Sequence, residues 1–292
     1  MTKLIEEIKL GLSQATLKNR IVMAPMTIQS AFFDGGVTQE MMDYYASRSG
    51  EASVIIVESA FVENYGRAFP GALGVNSDSK IAGLKNLAAA IKEKGSKAVL
   101  QIYHAGRMAS GEYNGGHQPI SASPVAALRD GAETPIEMTP EQIEAMIENF
   151  AQAVNRAILA GFDGVEIHGA NTYLIQQFFS PHSNRRTDKW GGNIEKRATF
   201  PVAVLEAAKK VVDCHKLTDF IIGYRFSPEE IEEPGIRFED SMFLLDKLAT
   251  SGLDYFHFSM GNYTRNSIVN PEDKELLISK YHALKSENVA KV

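Results

Sequence analysis

Short apolar segments alternate with helical patterns along the whole chain, and this alternation limits the fold more than any other feature. The segments that read as strands are 20–24, 53–57, 98–102, 165–168, 220–226 and 255–259. The second of them, SVIIV, is nearly all apolar, which suits a parallel strand buried on both faces. Strands that alternate with helices predict one parallel α/β domain over residues 1–292.

Helix signals separate the strands. The predicted helices cover 38–48, 81–94, a segment opened by Thr139-Pro140, 194–212, 238–251 and 272–286. Thr38 and Thr139 are favourable N-caps, and Gly95 and Gly252 stand where C-cap glycines belong. Residues 1–19 show weak apolar alternation, so we expect a small hairpin that closes one end of a barrel.

The choice between a barrel and a doubly wound sheet depends on where polar residues lie. No G-x-G-x-x-G follows any strand, and polar residues collect at the carboxyl ends of the strands. This favours a TIM (β/α)8 barrel. Six of the eight strands are found, and the chain ends where a seventh would begin. We therefore expect an incomplete barrel that lacks its last two β/α units, with unpaired edges at strands one and six.

Charge and cysteine content narrow the class of ligand. The chain has 30 basic and 36 acidic residues, a net charge of −6, which offers no attraction for nucleic acid or anionic membranes. No apolar run is long enough to span a bilayer, and MTKLIEEIKL lacks a signal-peptide apolar region, so a cytoplasmic protein is expected. The single cysteine, Cys214, excludes a disulfide within the chain, and no metal site is expected. A small-molecule ligand is expected, and a homo-oligomer is left open.

The densest group of candidate functional residues lies between Gly161 and Arg197. His168, Asn171 and Tyr173 follow a short strand within six residues, a spacing that lets three hydrogen-bonding side chains converge on one group. A lone histidine after a buried strand is more often a satisfied core residue. The long polar loop that follows, rich in arginine, favours function, since such loops in compact domains are usually functional or disordered.

The motifs H-G-A-N-T-Y and S-P-x-S-N-x-R-T-D-x-W-G-G, with a later arginine, resemble the Old Yellow Enzyme family of FMN-dependent ene-reductases. Within it the chain is similar to bacterial NADH-dependent flavin oxidoreductases. The resemblance implies FMN as cofactor, NADH or NADPH as reductant, and electron-poor alkenes (α,β-unsaturated carbonyl or nitro compounds) as substrates.

The same resemblance implies roles for single residues. His168 and Asn171 would donate hydrogen bonds to the substrate oxygen, and Tyr173 would protonate the α-carbon. The residues implied to contact the flavin are Pro25, Thr27, Ser59, Gln101 and Arg225. Arg225 also stands out physically, because a cation in an apolar strand needs an acceptor, either a structural ion pair or the charge of a reduced flavin.

Two departures from the family are expected to matter. Gln29 stands where some relatives carry an aromatic residue of the substrate pocket, and loops after strands seven and eight, which usually hold the phosphate, are absent. Weak FMN affinity would follow. Two alternatives remain beside the ene-reductase: a flavin-free barrel lyase or isomerase that uses His168 and Arg225 on a phosphorylated substrate, and a non-catalytic remnant that acts as a binding subunit.

Overall fold

The computed structural model describes residues 2–259, 267, 269–270, 272, 274–275 and 290–291. Its strands, in chain order, are β1 (Ile8–Lys9), β2 (Thr16–Leu17), β3 (Val22–Met23), β4 (Val54–Phe61), β5 (Lys97–Tyr103), β6 (Ile120–Ser121), β7 (Ile136–Glu137), β8 (Gly164–Gly169), β9 (Ile221–Phe226), β10 (Tyr255–Phe258) and β11 (Ala290–Lys291). Its α-helices are α1 (Gln39–Arg48), α2 (Ile81–Lys92), α3 (Pro140–Leu159), α4 (Leu174–Phe179), α5 (Ile194–Arg197), α6 (Thr199–Cys214) and α7 (Phe238–Ser251). None of the helices in this part of the chain is long and apolar enough to cross a membrane.

Seven of these strands form one parallel sheet in the order β11-β10-β9-β8-β5-β4-β3. The helices follow the strands along the chain and pack on one face of the sheet, where residues such as Ile55, Leu100 and Val165 join the main core. The expected barrel class is confirmed, since neighbouring strands are parallel and the helices cover only one face of the sheet, whereas a doubly wound sheet has helices on both faces. Within the described residues, β3 and β11 form the two ends of the sheet.

The other face of the sheet encloses a second apolar cluster closed by β1 and β2, which pair antiparallel where the sequence predicts a hairpin. The cluster contains Leu10, Ala15, Leu17, Val54, Ile56, Val99, Ile221 and Tyr255. Gly223 makes room for one of these side chains, because a Cβ there would lie 2.1 Å from the ring of Tyr255. The hairpin therefore fills the amino-terminal end of the sheet, and polar residues occupy the opposite end.

Three local expectations were wrong. The helix predicted over 194–212 is two helices, α5 and α6, because Pro201 has no N–H to donate to the carbonyl of Arg197 and is tolerated only in a first turn. Strand β4 does not end at residue 57 but continues to Phe61 past an irregularity between Val57 and Ala60. The strand therefore includes Glu58 and Ser59, which the sequence places after its end.

The third correction concerns the edge of strand six. The sixth predicted strand is β10, and an unpaired edge was expected there. Instead, Tyr255 pairs with Ala290 and Phe256 with Lys291, so β10 has a parallel neighbour on both sides. The physical reason is that the backbone N–H and C=O groups of a buried edge need partners, and β11 supplies them over two residues. The helix predicted over 272–286 lies largely outside the described residues.

Candidate active site

Polar side chains from adjacent strands form rows at the carboxyl end of the sheet. His168 on β8 is in register with Arg225 on β9, and Arg225 with His257 on β10. Two residues earlier, Glu166 is in register with Gln101 on β5. Because side chains alternate along a strand, Glu166 and His168 lie on the same face of the sheet. The register therefore brings five polar groups together on one face of the sheet, toward its carboxyl end.

Glu166 is the centre of this group and is fully buried. Gln101 Nε2 donates to Glu166 Oε1 at 2.7 Å, and His257 Nδ1 lies 3.0 Å from Glu166 Oε2. Burial alone would raise the pKa of Glu166, but His257, Arg225 and the hydrogen bond from Gln101 hold it below its ordinary value. The carboxylate is therefore charged at neutral pH. Since the Gln101 amide nitrogen is bound to it, the amide oxygen remains to accept a hydrogen bond from a ligand.

Arg225 has a buried side-chain donor that no acceptor contacts in the described part of the chain. This donor is its Nε–H group. Burial lowers the pKa of the guanidinium and the charge of Glu166 opposes that shift, so the group remains a cation. A buried, unpaired N–H on a cation is costly unless a ligand supplies the acceptor. Flavin fits this test, because its pyrimidine side offers acceptor atoms and gains negative charge on reduction.

His168 is buried and oriented by its own loop. Its Nδ1 accepts a hydrogen bond from the backbone N–H of Ala170 at 3.3 Å, which leaves Nε2 as the protonated nitrogen of the neutral ring. Burial, and then the charges of Arg225 and His257, lower the pKa of His168 well below 6.5. The imidazole is therefore a neutral donor at physiological pH.

Tyr173 lies against His168. The two ring centroids are 5.0 Å apart at an interplanar angle of 90°, and the ring of Tyr103 contacts Tyr173 at the same distance. Burial raises the pKa of Tyr173 to about 12. The phenol therefore keeps its proton at neutral pH and can donate it.

Asn171 is held in an unusual backbone conformation at the entrance to the site. Asn171 and Thr172 have φ angles of +55° and +61°, which asparagine tolerates and a β-branched threonine rarely adopts. The Asn171 N–H donates to Ser227 Oγ at 2.9 Å, and Asn171 Oδ1 accepts from Ser259 Oγ at 2.6 Å. Because the amide oxygen has this partner, the amide nitrogen is left as a donor.

The other expected flavin residues lie on neighbouring elements of the same end of the sheet. Pro25 is buried and Thr27 is exposed in the segment after β3, while Ser59 is buried within β4. Among the described contacts, none joins Thr27 or Ser59 to the group around Glu166. Their roles at a flavin remain predictions.

Sequence reasoning missed Glu166 and His257. Both are polar residues in apolar strands, VEIH and YFHF, which is the signal that singled out Arg225. The sequence also overstated the long polar loop. Asn184 Nδ2 donates to the carbonyls of Phe178 (2.6 Å) and Trp190 (2.8 Å), so this part of the loop holds itself together.

Fold and site together define a (β/α)-barrel protein whose candidate ligand site lies at the carboxyl ends of the strands. This site contains neutral hydrogen-bond donors and a buried cation. The family model of the NADH:flavin oxidoreductase / NADH oxidase family matches residues 3–291, and the chain belongs to that family. It is the Old Yellow Enzyme family expected from the motifs, and FMN with NADH or NADPH is the cofactor set that it implies. This membership argues against a flavin-free lyase or isomerase.

Comparisons with individual proteins agree with the family. The chain is 77% identical to NADH:acrylate oxidoreductase of Vibrio harveyi, over 100% of this chain and 29% of that protein. It is 56% identical to NADH:fumarate oxidoreductase of Klebsiella pneumoniae (strain 342), over 94% of this chain and 30% of that protein. Among solved structures, morphinone reductase superposes with a TM-score of 0.80 at 31% identity, covering 92% of this chain and 74% of that one. The chain thus spans about three tenths of the two curated relatives.

Proposed function

We propose that this chain transfers a hydride from NADH or NADPH through FMN to an electron-poor alkene. The observation that carries the proposal is the pairing, at one end of the sheet, of a buried cation that lacks an acceptor with a neutral histidine donor of fixed tautomer. FMN supplies the hydride-transfer chemistry when bound. The protein's part is to bind, to orient and to supply a proton.

On the cofactor side, Arg225 would stabilise the negative charge of a reduced flavin. Gln101 would accept a hydrogen bond from the cofactor through its amide oxygen, because Glu166 holds its amide nitrogen. By family resemblance, Pro25, Thr27 and the Ser59 backbone would line the ring.

On the substrate side, His168 and Asn171 each present a nitrogen donor. Two donors on one substrate oxygen withdraw electron density from the conjugated alkene, so that its β-carbon accepts a hydride. Both groups are neutral, so neither depends on protonation near neutral pH. Tyr173, protonated at neutral pH and in contact with His168, delivers the proton to the α-carbon.

The names of the relatives narrow the first substrates to test. Acrylate and fumarate, named for the two relatives above, are both alkenes conjugated to a carboxylate. Those names describe proteins of which this chain covers 29% and 30%, so they enter here only as proposed substrates. Acrylate, fumarate and 2-cyclohexenone form the test set.

Anaerobic stopped-flow spectroscopy of the FMN-loaded protein separates the two half-reactions. We expect His168→Ala or Asn171→Ala to slow reoxidation by the alkene by roughly a hundredfold and to affect flavin reduction by NADH much less. His215→Ala is the control, because that histidine lies at the end of α6 and its side chain bonds only to Asn155, at 2.8 Å, among the described contacts. Undiminished alkene reduction in a double variant that combines His168→Ala with Asn171→Ala would refute the proposed donors.

Tyr173→Phe tests the proton donor. The variant should slow reoxidation by alkenes and leave flavin reduction nearly intact, because only the oxidative half-reaction places a proton on carbon. An equal loss in both half-reactions would show that Tyr173 acts through packing on His168 and Tyr103.

A further inference from the structure

A cavity of about 480 Å³ lies at the same end of the sheet as the candidate active site. Its walls come from three segments that follow β3, β4 and β5. The side chains that matter here are Phe33, Asp34, Tyr65, Arg67, Lys80 and His117. None of them has a part in the proposed chemistry, so the cavity needs its own explanation.

Aromatic rings dominate one wall of this cavity. The rings of Tyr65 and His117 contact each other, with centroids 3.8 Å apart and a tilt of 32° between the ring planes. Phe33 is 84% exposed and Tyr65 is 42% exposed, although both line the cavity. Exposed aromatic faces beside a cavity are suited to a flat ligand, because stacking with a base buries them.

The charge of the cavity suits an anion. Lys80 Nζ and Asp34 Oδ2 lie 2.6 Å apart and neutralise each other. This pairing leaves Arg67, which donates to the Phe33 carbonyl at 2.8 Å and lies 5.6 Å from the Phe33 ring. A guanidinium held beside aromatic rings is a favourable phosphate partner.

A neighbouring cavity of about 320 Å³ beside Thr172 has the opposite balance. It is lined by three carboxyl groups and two guanidinium groups: Glu229, Glu230, Glu232, Arg107 and Arg129. Such a lining disfavours phosphate. Of these two cavities, the aromatic one is therefore the better site for a nucleotide.

The aromatic cavity is also connected to the catalytic side chains. The N–H of Ala68, the residue after Arg67, donates to the hydroxyl of Tyr103 at 3.2 Å. Tyr103 in turn contacts Tyr173. Arg67 and Tyr173 are therefore joined through consecutive contacts, and one ligand can extend along this surface from Tyr173 to Arg67.

We propose that the aromatic cavity binds the adenosine half of NADH, with the adenine against Tyr65 and Phe33 and the phosphates beside Arg67. The inference rests on the proposed function, because it requires the nicotinamide half to lie at the flavin. These residues would therefore make the protein bind NADH more tightly than a dihydronicotinamide that lacks the adenosine half.

The test compares NADH with reduced nicotinamide mononucleotide, which carries the same hydride donor without the adenosine half. In the FMN-loaded protein, Tyr65→Ala and Arg67→Gln should each raise the half-saturating concentration of NADH about tenfold. The value for the mononucleotide and the limiting rate of flavin reduction should stay within about twofold. Calorimetric binding of ADP-ribose should weaken by the same factor as NADH.

Matched controls come from the neighbouring cavity. Arg129→Ala removes an arginine that bonds to the Met108 carbonyl, and Leu128→Ala removes a side chain that is 68% exposed. Both variants should bind NADH, the mononucleotide and ADP-ribose as the wild type does. An NADH-specific loss in Arg129→Ala, or equal losses for NADH and the mononucleotide in Tyr65→Ala and Arg67→Gln, would overturn the inference. If neither NADH nor the mononucleotide reduces the flavin of the wild-type protein, the proposed function is refuted. Binding of ADP-ribose would still test the cavity in that case.

Discussion

Two buried carboxylic acids near the carboxyl end of the sheet have opposite pKa shifts, because only one of them has cationic neighbours. Glu166 lies beside His257 and Arg225, which hold its pKa below the ordinary value. Glu58 is equally buried, and burial raises its pKa to about 8 against hydrogen bonds from the backbone of Ile28 and Gln29. Glu58 is therefore largely protonated at neutral pH, while Glu166 is ionised.

This difference predicts how stability depends on pH at Glu58. The folded pKa is raised from 4.5 to about 8, so its contribution to stability is complete below 4.5 and is lost as the pH rises toward 8. Glu58→Gln keeps the shape and cannot ionise. As the pH rises through that window, the unfolding free energy of the variant should increase relative to that of the wild type by on the order of a few kcal/mol.

Urea unfolding of both proteins at pH values below 4.5 and above 8 measures the effect. The difference in unfolding free energy should be small at the acidic end and favour the variant at the alkaline end. Glu51→Gln, at an exposed position, is the control and should show no such trend. A constant difference between Glu58→Gln and the wild type would show that Glu58 keeps its ordinary pKa in the fold.

At the scale of elements, the long loop before α5 is a self-bonded structure. Arg186 donates to the carbonyls of Ala122 (3.2 Å) and Met138 (2.6 Å), and its guanidinium pairs with Asp188 at 2.5 Å. Gly191 is required by close packing, because a Cβ there would lie 2.4 Å from Asn184 Oδ1. The second of the two family motifs, S-P-x-S-N-x-R-T-D-x-W-G-G, is therefore explained by loop architecture, and the proposed chemistry rests on the first, which contains His168, Asn171 and Tyr173.

Asn184→Ala tests this reading of the loop. The change leaves the carbonyls of Phe178 and Trp190 without the donor that they now share, so the unfolding free energy should fall by about 1–3 kcal/mol. Below the unfolding transition, flavin reduction by NADH should be unchanged. Asn155→Ala, which removes a partner of His215 near the surface, is the control and should cost less than about 0.5 kcal/mol.

At the scale of the whole molecule, the repeating strand and helix signals predicted a parallel α/β domain, and the polar residues at the carboxyl ends of the strands favoured the barrel class. The helix α7 and its C-cap Gly252 were predicted to the residue, and Thr139 is the expected N-cap of α3, where it forms a capping box with Gln142. These features depend on local backbone chemistry, which a sequence displays directly. The interaction of Gln101 with Glu166, 65 residues apart, depends on strand register and could not be predicted from a single sequence.

The amino-terminal hairpin is joined to the far end of the chain in the same non-local way. Asp254, fully buried just before β10, accepts hydrogen bonds from the N–H groups of Ser13 (2.8 Å) and Ile222 (3.0 Å). One carboxylate, 241 positions after Ser13 in the sequence, thus connects the hairpin to strand β9. Because the hairpin fills the sheet's amino-terminal end, loosening this link exposes the apolar cluster behind it.

Asp254→Asn should therefore destabilise the whole sheet and not only the hairpin. The amide puts an N–H where the backbone needs an acceptor, so one buried donor loses its partner and the unfolding free energy should fall by about 2 kcal/mol. Trp190, the single tryptophan, is buried in the long loop after α4, outside the hairpin cluster, and reports on a distant region. In a cooperative fold, Trp190 fluorescence and far-ultraviolet circular dichroism should shift together to lower urea concentration. Exposed Asp213→Asn should shift neither probe. An unchanged Trp190 transition in Asp254→Asn would mean that the hairpin unfolds independently of the sheet that it closes.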